Sequence, residues 1–249
     1  MSGQAFSIET EDMSLRGQRL ANRDKGLWAL IPVKALTGAK QRLKDCLGAD
    51  REGFTVAMLK DVLAALADSK EVSQVVVVTA DPRVAAIAKS GGSLVVDENG
   101  SIGMNAAIDL GVEAIRNRGV QRVVILPADI PLITGSEFDR VAGDFEHQAQ
   151  VEGNGFIGIN PSTHRGGTNC LFLNTQQTFT FHYGPDSFKL HRDSAQRHRH
   201  RTIPLYSPTI SMDIDDTQDL DALVSFCVRN PEFKETQVWK FLLREGRTG

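Results

Sequence analysis

Trp28-Ala-Leu-Ile-Pro-Val33 is a short apolar run, followed at once by the basic segment Lys34-Ala-Leu-Thr-Gly-Ala-Lys40-Gln-Arg42. The run reads as a buried strand, and later runs repeat the signal at Val75 to Thr79, Leu94 to Val96, Val123 to Leu126 and Cys170 to Leu173. All are short and most are rich in β-branched residues, as strands buried on both faces tend to be. Helical stretches lie between them. Within Arg51 to Asp68, Phe54, Met58, Val62 and Leu66 recur every four residues beside Leu59 and Leu63, which predicts one apolar helix face. Asp81 as cap and Pro82 at the first helical position open a helix to Ser90, and Gly91-Gly92 stops it. Further helices are expected over Ile102 to Arg118, over Thr134 to His147, from about Gly184, and in Asp216 to Arg244. Strands alternating with helices imply an α/β fold with a mostly parallel sheet covered on both faces. From about Val151 the rhythm loosens, which reads as a subdomain on the same sheet. Ligands in such sheets bind at the carboxyl ends of strands, near a switch in strand order.

Composition narrows the function classes. The chain has 249 residues with a formal net charge of -3. A near-neutral total argues against a nucleic-acid coat or a membrane-surface binder. Three cysteines without a C-x-x-C pair argue against a disulfide framework and favour a reducing cytoplasm. Met1 to Lys25 has no apolar stretch of the signal-peptide kind, and no run is long enough to span a membrane. Residues 1–25 read as a flexible extension, and 26–249 as one domain. The alternation Gln196-Arg-His-Arg-His-Arg201 lacks interleaved aromatics and reads as a solvated surface segment. The apolar C-terminal end, including Phe233, Val238, Trp239 and Phe241, either packs internally or forms a homodimer contact.

The loops after the strands hold the chemistry-bearing residues. Lys34, Lys40 and Arg42 follow the first strand, where fixed cations suit phosphates. A solvated basic loop is the alternative. No Walker loop exists, and Gly153-Asn-Gly-Phe-Ile-Gly158 is a false match to the dinucleotide fingerprint, because it follows no strand and Pro161 prevents a helix from opening. It reads as a turn before a strand. In Leu126-Pro-Ala-Asp129-Ile-Pro-Leu132, Asp129 sits at a strand's carboxyl edge. The next helix starts too late for it to be a natural cap, so a metal-holding carboxylate is the favoured reading. Asp213 and Asp215 face one side if their segment is extended, and two such carboxylates repel unless a cation lies between them. Asp216 and Asp219 fit a capping pattern for the final helices. Gly166-Gly-Thr168 and Gly184-Pro-Asp-Ser187 could present backbone N–H groups and hydroxyls to an anion, with Ser187 as a mere cap an equal alternative. His191 touches a ligand or packs in the core. Gly103 and Asn105 lie at a strand-to-helix turn, where Asn105 reads a nucleobase edge or only forms the turn.

Taken together these segments resemble one family, the 2-phospho-L-lactate guanylyltransferases that activate a phosphorylated three-carbon acid in coenzyme F-420 biosynthesis. The matching pieces are Ile31-Pro-Val-Lys34 with Ala39-Lys40-Gln-Arg42-Leu43, then Gly103-Met-Asn105-Ala-Ala107 and Leu126-Pro-Ala-Asp129-Ile-Pro-Leu132. Gly167-Thr168-Asn169, Gly184-Pro-Asp-Ser187-Phe188 and Asp213-Ile-Asp215 complete the order. The resemblance implies a single-domain, Rossmann-like nucleotidyltransferase of the GT-A-like type, with a mixed but mostly parallel sheet flanked by helices. It implies GTP as donor and Mg2+ as cofactor. Asp129, Asp213 and Asp215 would hold the metal. Lys34 and Lys40 would hold the triphosphate, with Arg42, Gly103 and Asn105 completing the GTP site. Thr168, Gly184 and Ser187 would hold the acid, which is 2-phospho-L-lactate, phosphoenolpyruvate or 3-phospho-D-glycerate. One departure is that the family usually continues Asp-x-Asp with Thr-Pro, where this chain has Asp216-Thr217. A molybdopterin guanylyltransferase or sugar nucleotidyltransferase is disfavoured by the first loop, which lacks their Gly-Gly pair and Arg. A non-catalytic nucleotide-binding regulator is disfavoured by the three acidic positions together.

Overall fold

The computed structural model describes residues 26–100, 103–152, 155–163 and 166–247. The expected flexible extension over 1–25 lies outside these residues. So do Ile102, at the expected start of one helix, and Gly153, at the head of the false fingerprint.

Seven strands form one sheet: β1 (Leu27–Pro32), β2 (Val72–Thr79), β3 (Leu94–Asp97), β4 (Arg122–Ile125), β5 (Phe156–Pro161), β6 (Thr168–Asn174) and β7 (Arg201–Pro204). Their order is β3-β2-β1-β4-β6-β5-β7. β1 pairs parallel with both β2 and β4, and β2 with β3. β6 runs antiparallel to both of its neighbours, and β7 is parallel to β5. The sheet is therefore mostly parallel, with β6 reversed. The chain steps outward from β1 to β3, then returns to the other side of β1 for β4. That reversal places a crevice at the carboxyl ends of β1 and β4.

The longer helices are α1 (Arg51–Asp68), α2 (Pro82–Ser90), α3 (Met104–Arg116), α4 (Gly135–Glu152), α5 (Ser187–Arg197), α6 (Thr217–Arg229) and α7 (Gln237–Arg244). Alternate residues of the strands point to opposite faces. Ala29, Ile31, Val77 and Val124 pack with α1, α2 and α4 on one face. Leu30, Val76, Val78 and Val123 pack with Ile108, Val112 and Ile115 of α3 on the other. Gly111 lets α3 settle there, since a Cβ on it would lie 2.5 Å from a Leu30 methyl. Asp81 caps α2 through the Arg83 N–H, with Pro82 in the first turn, as the sequence predicts.

α1 differs from expectation. Its apolar residues do not form one face. Leu59, Val62, Leu63 and Leu66 meet the sheet, whereas Phe54, Ala57 and Met58 join a third core with α6 and α7. The cause is the C-terminal segment, which folds back over α1. Val238, Trp239, Phe241 and Leu242 are buried there, and Phe241 meets Phe54 with ring centroids 5.7 Å apart. These residues pack internally. The Arg-His tract ends α5 and enters β7, a strand its polar sequence did not announce; β5 begins at Phe156, where a turn before a strand was expected.

The returning segment is pinned by one carboxylate. Asp61, in the middle of α1, accepts the N–H groups of Gln237 and Val238 at 2.7 and 2.8 Å, capping α7 from across the chain. Burial pushes its carboxyl up to about 6, against the pull of those two N–H groups. Asp61→Ala leaves both N–H groups without their acceptor. Its expected cost is about 1–3 kcal/mol, read as a lower urea midpoint. An unchanged midpoint would show that solvent satisfies these groups equally well.

Candidate active site

The segment after β4 carries Asp129, and the segment Ser211 to Asp216 runs beside it. The Ile214 N–H donates to the Asp129 carbonyl at 3.0 Å. Ile214 is fully buried, while Asp213 and Asp215 on either side of it are only half-buried. This is the one-sided placement that alternation predicts. Asp216 does not belong to the group: it caps α6 by accepting the Gln218 and Asp219 N–H groups, and Asp219 returns a capping-box bond. Thr134, whose hydroxyl accepts the Glu137 N–H at 3.2 Å, opens α4, so Asp129 has no capping duty.

Lys40 sits between the acids. Its Nζ donates to Asp129 Oδ2 at 2.6 Å and to Asp215 Oδ1 at 2.8 Å. The side chain is only 10% exposed, so water screens the pair weakly. Burial works against the ammonium charge, but the Asp129 and Asp215 carboxylates outweigh it and hold the Lys40 pKa above its ordinary value. Lys40 itself adopts a left-handed backbone conformation, φ 50°, at the entry to the turn Gln41–Leu43. The loop that presents it is anchored by the Leu36 N–H, which donates to Asp81 Oδ2 at 2.9 Å. Asp213 accepts from Asn169 Nδ2 at 3.1 Å, and the same amide donates to the Ile210 carbonyl. Burial, then repulsion from Asp129 and Asp215, raises the Asp213 pKa.

The cluster is thus a carboxylate group whose repulsion is relieved by an ammonium, a donor set of hard oxygens suited to a hard divalent cation. Among the described residues no three Asp, Glu, His or Cys side chains are already gathered as a closed metal site. The fit is in the chemistry of the donors, two of which hold the Lys40 ammonium.

The other expected residues fall into two groups. Lys34 and Gly103 meet in a shallow crevice at the ends of β1 to β3, lined also by Val78, Glu98 and Met104. Arg42 is exposed on the turn after Lys40. Asn105 is committed to the backbone: its Oδ1 accepts the Tyr183 N–H at 2.7 Å, and its Nδ2 donates to the Tyr183 carbonyl at 3.3 Å. It ties α3 to the loop before α5.

The second group lies at the start of β6. Because β6 runs against β4, its first residue, Thr168, stands at the same sheet edge as the carboxyl end of β4. The Gly166 carbonyl accepts the Phe188 N–H at 2.9 Å, which clasps the first turn of α5 to the loop before Thr168. Ser187 is the first residue of α5 and the cap position falls on Asp186, so Ser187 is not the cap. Gly184, with φ 137°, supplies the carbonyl for the Ser187 N–H. His191, one turn further, is fully buried and bonds to Thr168. Three residues escaped the sequence reading: Glu98, Asn169 as the partner of Asp213, and Asp81 as the loop's anchor. Asn169 follows Thr168 directly, and its partner Asp213 lies 44 residues away in the chain.

Solved structures share this architecture. A candidate nucleotide-diphospho-sugar transferase from Desulfovibrio desulfuricans superposes with a TM-score of 0.71 at 17% identity, covering 90% of this chain and 96% of that one. A cytidylyltransferase from Leptospira borgpetersenii gives 0.58 at 15% identity, with 90% and 96% covered. The fold is that of the α/β nucleotidyltransferases, with its acidic cluster at the switch point. A family model described as guanylyl transferase CofC like matches residues 27–228, and the chain belongs to that family of nucleotidyl-transferring enzymes. The phosphoenolpyruvate guanylyltransferase of Rubrobacter xylanophilus is 34% identical over 199 residues, covering 79% of this chain and 93% of the relative. That of Conexibacter woesei is 32% identical over 197 residues, covering 79% and 86%. The 2-phospho-L-lactate guanylyltransferase of Methanothermobacter thermautotrophicus is 33% identical, covering 79% and 83%. No helix among the described residues is long and apolar enough to cross a membrane.

His191 gives a measurable signature. Burial, then the nearby His182, lowers its pKa from 6.5 to about 3. The unfolded chain therefore binds a proton that the folded chain refuses between those values. Stability from this group is complete above pH 6.5 and is lost as the pH falls towards 3, with a slope approaching about 1.4 kcal/mol per pH unit. Urea unfolding from pH 7 to 4 should show this slope, and His191→Asn should remove that share of it. Equal slopes in both proteins would mean that His191 protonates freely in the fold.

Proposed function

We propose that this protein transfers GMP from GTP to the phosphate of a three-carbon phospho-acid, releasing pyrophosphate, in coenzyme F-420 biosynthesis. The acid is phosphoenolpyruvate, 2-phospho-L-lactate or 3-phospho-D-glycerate; the relatives' printed names include the first two. The observation that carries the reading is the Lys40-bridged pair Asp129 and Asp215, with Asp213 beside it, at the carboxyl ends of the central strands.

A phosphate oxygen of the acid attacks the α-phosphorus of GTP. A new P–O bond forms, the bond from the α-phosphorus to the bridging oxygen breaks, and pyrophosphate carries away the electron pair. The attacking phosphate is already ionised near neutral pH, so no strong base is needed. The difficulty is to bring two anions together, and fixed cations solve it electrostatically. Asp129, Asp213 and Asp215 would hold a divalent cation, taken as Mg2+, which supplies positive charge to the phosphate oxygens when bound. Lys40 already meets the Asp129 and Asp215 oxygens that would hold the ion, and with Lys34 it would offer fixed positive charge to the triphosphate. Thr168, Gly184 and Ser187 bind the acid through a hydroxyl and the positive end of α5.

Pyrophosphate release measured with GTP, Mg2+ and each of the three acids tests the reading. One acid should give clear turnover. Asp129→Asn should lower kcat about 100-fold or more, a loss of roughly 3 kcal/mol of transition-state stabilisation. Near-normal turnover by Asp129→Asn would refute the metal role. GTP binding without pyrophosphate release from any acid would favour a nucleotide-binding regulator.

A further inference from the structure

His191 makes two hydrogen bonds that together fix where its proton is. The His182 N–H, a backbone group that can only donate, reaches His191 Nε2 at 2.9 Å. Nε2 must therefore be the unprotonated nitrogen. His191 Nδ1 lies 3.0 Å from Thr168 Oγ1. A neutral ring with a bare Nε2 carries its proton on Nδ1, so Nδ1–H donates and the Thr168 oxygen accepts. The ring is neutral because it is fully buried, with Phe179 and Tyr183 packed around it at 5.8 and 4.7 Å between centroids. The Thr168 hydroxyl can then no longer donate to the imidazole. Thr168 is buried, 4% exposed at the start of β6, and its own proton is left for an acceptor other than His191.

We infer that His191 is a positioning residue: it holds the Thr168 hydroxyl as a committed donor towards the phospho-acid. This rests on the reading of Thr168 as a ligand of that acid. The opposite tautomer would turn the same threonine into a donor to the protein, with a lone pair facing the substrate's negative charge. The tautomer is set by the backbone at His182, which Asn105 holds in turn through Tyr183. The acid's donor is thereby built from three segments distant in sequence.

The experiment combines the tautomer with kinetics. Nitrogen-15 NMR of the full-length protein at pH 7 should show a protonated Nδ1 and a bare Nε2 on His191; an Nε2–H ring or an imidazolium overturns the inference without any substrate. In pyrophosphate-release assays with the acid that turns over, His191→Phe should raise KM for the acid about 10-fold or more, the size of one hydrogen bond to a charged group. KM for GTP should not move. His191→Asn, which can place an amide N–H near the Nδ1 position, should recover most of the loss. Thr168→Val should be impaired to a similar degree, and the double variant His191→Phe/Thr168→Val should be no worse than Thr168→Val alone. Additive losses, or His191→Phe with an unchanged KM for the acid while Thr168→Val is impaired, overturn the positioning role only. Thr168→Val with normal KM for every acid overturns the ligand reading beneath it. If His191→Phe does not fold, the wild-type tautomer and the Asn variant still decide.

Discussion

Asp129 and Asp215 meet at one edge of the sheet with Asp213 nearby, and the repulsion between them is relieved by a cation held between the first two. Lys40 provides it, with two short bonds to Asp129 and Asp215. Much of the surrounding structure serves that arrangement. The loop carrying Lys40 is fastened by Asp81 through the Leu36 N–H, and the acidic segment is fastened to the end of β4 through Ile214. Asn169 restrains Asp213 from the side. The cluster is matched to positive charge, and the Lys40 ammonium supplies it.

Sheet topology decides which residues can share the site. β4 lies beside β1 although β2 and β3 come between them in sequence, which brings the loops after β1 and β4 together. The reversed β6 adds a second contribution. Its first residues, Thr168 and Asn169, arrive at the same edge from the opposite direction. One strand thus places Asn169 against the acidic cluster and Thr168 against α5. The acidic cluster and the first turn of α5 are linked through one strand because two consecutive residues point to different partners.

Much of this was legible before folding. Short apolar runs marked β1 to β4 and β6, because strands buried on both faces leave no polar alternation to obscure them. The capping pattern at Asp216 and Asp219 freed Asp213 and Asp215 for other work, and the backbone agrees. Other readings failed for physical reasons. α1 showed one apolar stripe, yet the structure divides it between the sheet and α7, since periodicity reports which residues are buried and not what buries them. β7 went unread, because an edge strand with exposed Arg201 and Pro204 carries little apolar signal, whereas the tract 196–201 leading into it is solvated as its sequence predicts. Asn105 offered an amide suited to a base edge, but the main chain of Tyr183 holds both its ends.

The sequence by itself determined the class of fold, the position of each acidic residue relative to its strand, and the family, because these are properties of local pattern and of motif order. Only the tertiary structure decided the pairings. Lys40 meets Asp215 across 175 residues, and Asp61 caps a helix 176 residues away. The state of His191 is the sharpest case. Nothing in its neighbours along the chain distinguishes a ligand from a core residue. Its tautomer follows from one backbone N–H on one side and one hydroxyl on the other, and both partners arrive only when β6 and α5 have packed.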